Sequence, residues 1–203
     1  PREAGDGTLG ELSPEPKPPL AWDSRLGMSA EDHARDMLAS DDNSLTSQHI
    51  GSDGKTTGER IRDAGYTPLE DAGENTSVRP RALADALTAV IDDQHRSWLE
   101  SPGHRWNMFQ ERHEELGVGI EIGEYTPLAD FDPPDPSDLT TVMTNEDFGA
   151  IEGAGPHLMG LVYTDRDGDG TYSPGEGEAD ARVQISGPSD HSMDTWRTGH
   201  WQA

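Results

Sequence analysis

The chain has 203 residues, with 40 acidic and 15 basic side chains, and a formal charge of −25. A surface of this sign repels nucleic acid and anionic lipid, so neither is an expected partner. The absence of cysteine excludes disulfides and thiolate chemistry, and no apolar run approaches the roughly 18 residues that a membrane span needs. The length accommodates one domain of ordinary size with a small appendage.

The N-terminal part changes from a linker composition to a helical pattern. Residues 1–20 are rich in Pro, Gly and Glu without any period, which is typical of a linker or tail. The pair Ser29 and Asp32 then forms a capping box at the start of an apolar stripe, which predicts a helix over residues 29–40. His33 lies on that stripe, so we expect it in the core or on the helix face.

Three further helical segments are predicted before residue 110. A second capping box, Thr56 with Glu59, starts a short helix that ends at Gly65. The longest helix is predicted over residues 80–100, with Pro80 in its first turn. After the Ser-Pro-Gly break at 101–103, another helical turn is expected.

The rest of the chain has strand and turn character. Residues 117–122 alternate as a strand does, and residues 139–148 predict a second strand after an acidic, proline-rich loop at 125–138. Glycines near 149–155 mark a boundary. Beyond it, residues 157–163 and 181–186 predict strands on either side of an acidic turn.

An ordered series of short motifs then points to a known family. The series includes His33-Ala34 with Asp36-Met37, Ser47-Gln48-His49, Gly73-Glu74-Asn75, Trp98, Ser101-Pro102-Gly103-His104-Arg105 and Gly117-Val118-Gly119. Over about residues 20–150 it resembles bacterial members of the CAP superfamily, which also contains cysteine-rich secretory proteins, antigen 5 and pathogenesis-related proteins. The resemblance implies a prokaryotic protein that is secreted or displayed at the cell surface.

The resemblance also implies the architecture and the site. It predicts an α+β fold, an α-β-α sandwich with a central antiparallel sheet, and a cleft lined by two histidines and two acids. By position, His49, Glu74 and His104 correspond to three of these residues. The fourth acid is replaced by Ser101, and the adjacent Glu100 is the candidate substitute, although one helical position turns a side chain by about 100°.

The chemistry of this residue set leaves several functions open. His49, Glu74 and His104 are competent ligands for zinc or another divalent cation, and a metal-bound water would be a hydrolytic nucleophile. Without a metal, a His–Glu pair can act as a general base and the carboxylate that orients it. Alternatively, Glu74 and His49 form a purely structural hydrogen-bonded pair. We predict that His95 and His113 lie on the surface.

The second motif is a calcium-binding pattern. Asp165-Arg166-Asp167-Gly168-Asp169-Gly170, followed by Glu176, matches the twelve-position loop D-x-D-x-D-G-x5-E. Three carboxylates converge on one hard cation, Thr171 offers its carbonyl, Ser173 binds through water, and Glu176 closes the shell. Since Pro174-Gly175 interrupts any exiting helix, the pattern predicts a structural calcium site outside a helix-loop-helix unit.

The surroundings of this loop suggest a second domain. Residues 160–186 resemble the start of calcium-binding B-repeat-like or Cna-B-like β domains of bacterial surface proteins. The predicted organisation is therefore a tail at 1–20, a CAP-like domain at 21–150 and a partial β domain at 156–203 that continues beyond Ala203 in the natural protein.

Three functions follow as hypotheses. The first is a binding protein whose cleft takes a cation or a small, lipidic or protein ligand. The second is a metal-dependent, peptidase-like hydrolase that uses His49, Glu74 and His104. The third is a structural module of a surface assembly.

Overall fold

The computed structural model describes residues 17–40, 48–82, 86–124, 139–187 and 190–203. The predicted loop at 125–138 and most of the predicted tail lie outside these ranges. The chain forms two compact units, which divide between Ala154 and Gly155. Within the described ranges, none of the helices is both long and apolar enough to cross a bilayer.

In the described ranges, the first unit contains four helices and four strands. The helices are α1 (Ser24–Ala39), α2 (Thr57–Asp63), α3 (Leu87–Glu100) and α4 (Pro102–Phe109), and the strands are β1 (Ala21–Trp22), β2 (Leu69–Ala82), β3 (Glu115–Gly123) and β4 (Leu139–Ile151). The sheet order is β1-β3-β4-β2. The three long strands are antiparallel, as predicted, while the short β1 pairs in parallel with β3.

Neighbouring residues on β4 show that helices cover both faces of this sheet. The side chain of Asn145 donates to the carbonyl of Ala30 in α1 at 3.1 Å. The adjacent Thr144 points the other way and donates to Gln94 of α3 at 2.8 Å. Because side chains alternate along a strand, α1 and α3 lie on opposite faces. The α+β class and the predicted layering are thereby confirmed.

The helix boundaries differ from the prediction at two places. Helix α1 begins at Ser24 rather than Ser29, because Asp23 caps it by accepting the backbone N–H groups of Arg25 and Leu26. The predicted helix over 80–100 is wrong at its start: residues 80–82 end strand β2 and α3 begins at Leu87. Pro80 is tolerated in a strand because β2 lies at the edge of the sheet.

Two glycines of β3 bring α1 against the sheet. A Cβ atom on Gly117 would lie 2.0 Å from the backbone N of Gly27, and one on Gly119 would lie 2.1 Å from the backbone N of Glu31. The helix therefore packs directly on the strand backbone. Its apolar face contributes to two core clusters, Leu26 with Ile61 and Tyr66, and Ala34 with Met37 and Met143.

The second unit, Gly155–Ala203, is built from short strands. They are β5 (Met159–Leu161), β6 (Arg182–Ile185), β7 (His191–Asp194) and β8 (His200–Gln202). They pair as two antiparallel ribbons, β5 with β8 and β6 with β7. The predicted strands near 157–163 and 181–186 correspond to β5 and β6, and the acidic loop lies between them.

Candidate functional site: a buried carboxylate pair beside exposed His49

The candidate site forms around Glu74 on β2. This strand is at the sheet edge, where Glu74 pairs directly with Asp147 of β4. Directly opposed residues of an antiparallel pair lie on the same face, so the two carboxyl groups are neighbours under α1 and α2. Both side chains are buried, and the exposure of Asp147 is 0%.

Three side chains hold the carboxylate of Glu74. Its Oε1 accepts from Nδ1 of His49 at 2.8 Å and from the hydroxyl of Thr57 at 3.0 Å. Its Oε2 accepts a short hydrogen bond from Arg60 of α2. The same guanidinium donates to the carbonyls of His49 and Lys55 at 3.2 and 3.0 Å, so Arg60 ties the loop of His49 to the sheet.

The two carboxyl groups have opposite protonation preferences. Burial works against ionisation of Glu74, but the hydrogen bond from His49 and the charge of Arg60 outweigh it and lower its pKa. Burial, followed by the negative charge of Glu74, raises the pKa of Asp147 well above its ordinary value. Within the described ranges, neither oxygen of Asp147 has a partner at hydrogen-bond geometry, although Ser29 and Glu74 lie close enough to influence it. The surroundings therefore favour the protonated form of Asp147 and the ionised form of Glu74.

His33 of α1 lies close to the same carboxylate of Glu74. Its side chain is fully buried, with Nε2 3.9 Å from Oε2 of Glu74. Nε2 also lies 3.1 Å from the carbonyl of Gln48, to which it donates. Burial lowers the pKa of His33, so the ring is neutral at neutral pH. The core position predicted for His33 agrees with the structure.

His104 reaches the edge of β2 from α4, on the other face of the sheet. Its backbone carbonyl accepts from Asn75 at 3.3 Å, and its ring lies 6.3 Å from the Trp98 ring, centroid to centroid. Burial, and then the charge of His49, lower the pKa of His104. Its Nδ1 is buried without a hydrogen-bond partner.

The predicted residues come together only in part. His49 contacts Glu74, and His104 is near enough to His49 to respond to its charge. However, the ligand atoms of His49, Glu74 and His104 do not all lie within 4.8 Å of one another: in the described part of the chain only Asp165, Asp167 and Asp169 form such a group. Glu100 is exposed at the end of α3.

Asp147, rather than Glu100, is the acid that the sheet places beside Glu74. Asp147 was not predicted as a site residue because it lies within the predicted strand 139–148, where an acidic side chain gives no sign of which face of the sheet it occupies. Asn145 lies on the same face of β4 as Asp147, and Phe148 lies on the opposite face. Both are buried, so the alternation of apolar and polar residues does not distinguish the two faces of this strand.

A polar network links β2 to α4 on the other face of the sheet. Asn75 donates to Oε2 of Glu146 at 3.1 Å, and Asn107 of α4 donates to the carbonyl of Glu74 at 2.9 Å and to Asn75 at 3.0 Å. Burial raises the pKa of Glu146 to about 7, against the effect of the Asn75 hydrogen bond. These contacts fix the strand segment that presents Glu74.

The prediction that His113 lies on the surface is wrong. Its ring is buried, stacks on Phe148 with centroids 5.2 Å apart, and contacts the carbonyl of Asn107 at 2.9 Å. Burial lowers its pKa to about 4. The cavity for the ring exists because Gly73 lacks a side chain: a Cβ there would be 2.5 Å from Cε1 of His113.

The acidic loop of the second unit has a folded geometry. The carboxylate of Asp165 accepts the backbone N–H groups of Gly168 and Gly170 at 2.7 and 3.0 Å. Asp167 and Asp169 likewise accept the N–H groups two residues ahead of them. Gly168 and Gly170 have φ values of 78° and 80°, which favour glycine. The result is that one oxygen from each aspartate lies within 4.8 Å of the others.

Glu176 closes this loop. It is buried, and its two oxygens accept the N–H groups of Arg166 and Ser173 at 2.7 and 2.8 Å. Hydrogen bonds from Ser173 and Arg166 lower its pKa. Ser173 also donates to Asp167 at 3.3 Å. Three of the predicted ligands thus converge, and Glu176 lies across the base of the same loop.

Comparison with known proteins identifies the family. The family model of the cysteine-rich secretory protein family, CAP, matches residues 14–127. Since the match covers more than half of the chain and the fold has the expected layers, the chain belongs to the CAP family. The match ends well before the second unit, so the resemblance to B-repeat-like domains stays a prediction.

The other comparisons add little. The chain is similar to an outer surface protein from Borrelia burgdorferi, with 16% sequence identity and a TM-score of 0.41 over 66% of this chain and 78% of that one. None of the curated proteins matches the chain.

Proposed function

We propose that this chain is a secreted CAP-family binding protein that takes a divalent cation or a small ligand beside His49, with a structural calcium ion in its second unit. The observation that supports this most directly is the position of His49, which is 40% exposed and hydrogen-bonded to a carboxylate that is 2% exposed. An accessible imidazole held by a buried carboxylate is typical of binding sites.

The orientation of His49 favours a metal or a hydrogen-bond donor as the ligand. When Nδ1 donates to Glu74, the ring's lone pair is on Nε2. Metal-binding histidines generally donate their other N–H to a carboxylate or carbonyl in this way, which fixes the tautomer and raises basicity. Glu74 would then orient His49 rather than bind the cation, with His104 and water as further ligands.

The hydrolase hypothesis has weaker support. Both oxygens of Glu74 are already occupied by His49, Thr57 and Arg60, and its pKa is lowered. A carboxylate in this state is a poor general base, so any proton transfer would fall to His49. The polar character of the surrounding side chains also favours a cation or small polar ligand over a lipid. Secretion is proposed from the family alone.

Zinc titration tests the cleft. In calcium-saturated protein, we expect isothermal titration calorimetry to show saturable zinc binding that weakens about tenfold or more in His49→Ala. His95→Ala is the matched control because His95 is exposed on α3, and it should bind as the unmodified chain does. Equal zinc affinity in His49→Ala and the unmodified protein would contradict a metal site at His49.

The calcium site of the second unit is proposed on its loop geometry and motif. Without a cation, Asp165, Asp167 and Asp169 repel one another across less than 4.8 Å. Calcium relieves that repulsion with the oxygen ligands it prefers, and Asp165, Asp167, Asp169, Thr171, Ser173 and Glu176 would hold it.

Calcium should therefore stabilise the second unit. At a calcium concentration 100 times the Kd, we expect about 2.7 kcal/mol of added stability, visible as a higher melting temperature than in chelator. Asp167→Asn should lose most of this increment, whereas Asp190→Asn, outside the loop, should keep it. A melting temperature that calcium and chelator leave unchanged would show that the loop is only a polar turn.

A further inference from the structure

A second cluster of polar groups lies next to the cleft, on the other side of His33. It lines a cavity of about 340 Å³ between α1, α2 and the loop that joins them. The lining includes four carboxylates, Asp32, Asp36, Asp53 and Asp63, against two cationic side chains, Lys55 and Arg60. Both cationic groups are already paired, Lys55 with Asp53 and Asp63, and Arg60 with Glu74.

His33 presents an unused lone pair to this cavity. Its Nε2 donates to the carbonyl of Gln48, which leaves Nδ1 without a proton. Among the residues that the structure describes, Nδ1 has no hydrogen-bond partner, although the side chain is fully buried. A buried acceptor without a donor is costly, typically about 1–3 kcal/mol. Such an atom at a cavity wall points to a bound group that satisfies it.

The nearest group across the cavity is another acceptor. Oδ2 of Asp36 lies 4.0 Å from Nδ1 of His33. Two acceptors facing each other at this distance attract a cation between them. Around a tetrahedral zinc with ligand distances of about 2.1 Å, two ligand atoms lie about 3.4 Å apart, so a shift of about 0.6 Å would bring both atoms into one coordination shell. Asp36 is itself fixed, because Ser52 donates to it through both its backbone N–H, at 2.7 Å, and its hydroxyl.

We propose that His33 Nδ1 and Asp36 form a second divalent-cation site, for zinc or a similar transition metal, distinct from the cleft at His49. The outer hydrogen bonds that such sites need are present: a backbone carbonyl on the far nitrogen of the histidine and donors on the carboxylate. Water completes the coordination. The net negative lining of the cavity attracts the cation, and the ion pair with Glu74 balances the positive charge of Arg60.

The test uses the full chain saturated with calcium and carrying His49→Ala, so that neither the loop nor the cleft takes the zinc. Calcium does not compete at the new site, because an imidazole nitrogen is not a ligand that calcium prefers. We expect calorimetry to show one zinc site in this protein. Adding Asp36→Asn should weaken it about tenfold or more.

Asp63→Asn is the matched control, because it removes the same charge from the same cavity but lies on α2, away from His33. It should leave the zinc affinity nearly unchanged. Equal losses in Asp36→Asn and Asp63→Asn would overturn the proposal and indicate general attraction to acidic groups. The absence of zinc binding in the His49→Ala protein would overturn the proposal too. A water molecule that donates to Nδ1 of His33 and to Asp36 would then be enough to satisfy both acceptors.

A second readout covers the case in which Asp36→Asn does not fold. In the nitrogen-15 spectrum of the His49→Ala protein, the Nδ1 resonance of His33, assigned by its loss in His33→Gln, should move on adding zinc. If that resonance stays in place while zinc binds, the proposal is wrong. Because His49 is absent throughout, this result is independent of whether the cleft binds metal.

Discussion

Replacing Gly119 by alanine should destabilise the first unit by more than about 3 kcal/mol, beyond the usual cost of overpacking. The added Cβ would lie 2.1 Å from the backbone N of Glu31 and 2.2 Å from the carbonyl carbon of Ala30. These are backbone atoms of α1, so no side-chain rotation relieves the clash and the helix must move away from the sheet. Because domains have only about 5–15 kcal/mol of stability, this loss is a large share of the total and should lower the urea midpoint markedly.

Gly103→Ala is the matched control for this experiment. Gly103 lies in α4, and no described atom beyond its chain neighbours and the backbone of its own helix is within 4 Å of the Cβ position. Alanine is the better helix former, so we expect a change between zero and a gain of about 1 kcal/mol. Urea denaturation followed by circular dichroism measures both variants. A loss below 1 kcal/mol in Gly119→Ala would mean that α1 does not pack on β3 as described.

Arg60→Met should destabilise the protein by about 3–5 kcal/mol at pH 7, because it leaves the buried carboxylate of Glu74 without its ion-pair partner. The side chains of Arg60 and Glu74 are 10% and 2% exposed, so solvent screens the pair little. His49 and Thr57 would remain as hydrogen-bond donors to Glu74. Methionine keeps most of the side-chain volume, so the loss reports the guanidinium rather than packing: its charge and its hydrogen bonds to the carbonyls of His49 and Lys55.

The pH dependence identifies the cause. In the unmodified chain the pKa of Glu74 is lowered, so its stabilising effect is present above its ordinary pKa of 4.5 and is lost as the pH falls further. In Arg60→Met, burial would instead raise that pKa, because the opposing charge of Arg60 is gone. The native state would then keep a proton that the unfolded chain has lost, and stability would fall as the pH rises above 4.5.

The loss in the free energy of unfolding that Arg60→Met causes should therefore be largest near pH 7 and smaller towards pH 4.5. Urea denaturation at both pH values measures it. Arg62→Met is the control: this exposed arginine on the same helix only donates to the carbonyl of Gly58, and its loss should cost less than about 0.5 kcal/mol. A deficit that is equal at the two pH values would show that packing, not the buried charge, is responsible.

The cleft and the His33 cavity share a structural element. His33 separates them, with Nε2 3.9 Å from Glu74 on one side and Nδ1 4.0 Å from Asp36 on the other. Arg60 also borders both, since it contacts Glu74 and lines the cavity. Measuring zinc binding in the His49→Ala and Asp36→Asn variants separately therefore distinguishes the two sites.

Local sequence signals determined a large part of this protein. The capping box of Thr56 and Glu59 starts α2 as predicted, because its hydrogen bonds involve residues within one turn. The order of short motifs was sufficient to predict the CAP family and the α+β class. It also predicted His49 and Glu74 as site residues, which the structure brings into contact. These features depend on residue type and spacing along the chain.

Tertiary structure decided the features that depend on distant residues. Strand β2 contains Gly, Asn and Pro and has little intrinsic strand preference; its pairing with β4, about 70 residues away, makes it a strand. The same pairing buries Asp147 beside Glu74, and the missing side chain of Gly73 makes room for His113. Burial and neighbouring charge, which set the protonation of these groups, arise only when remote segments pack together.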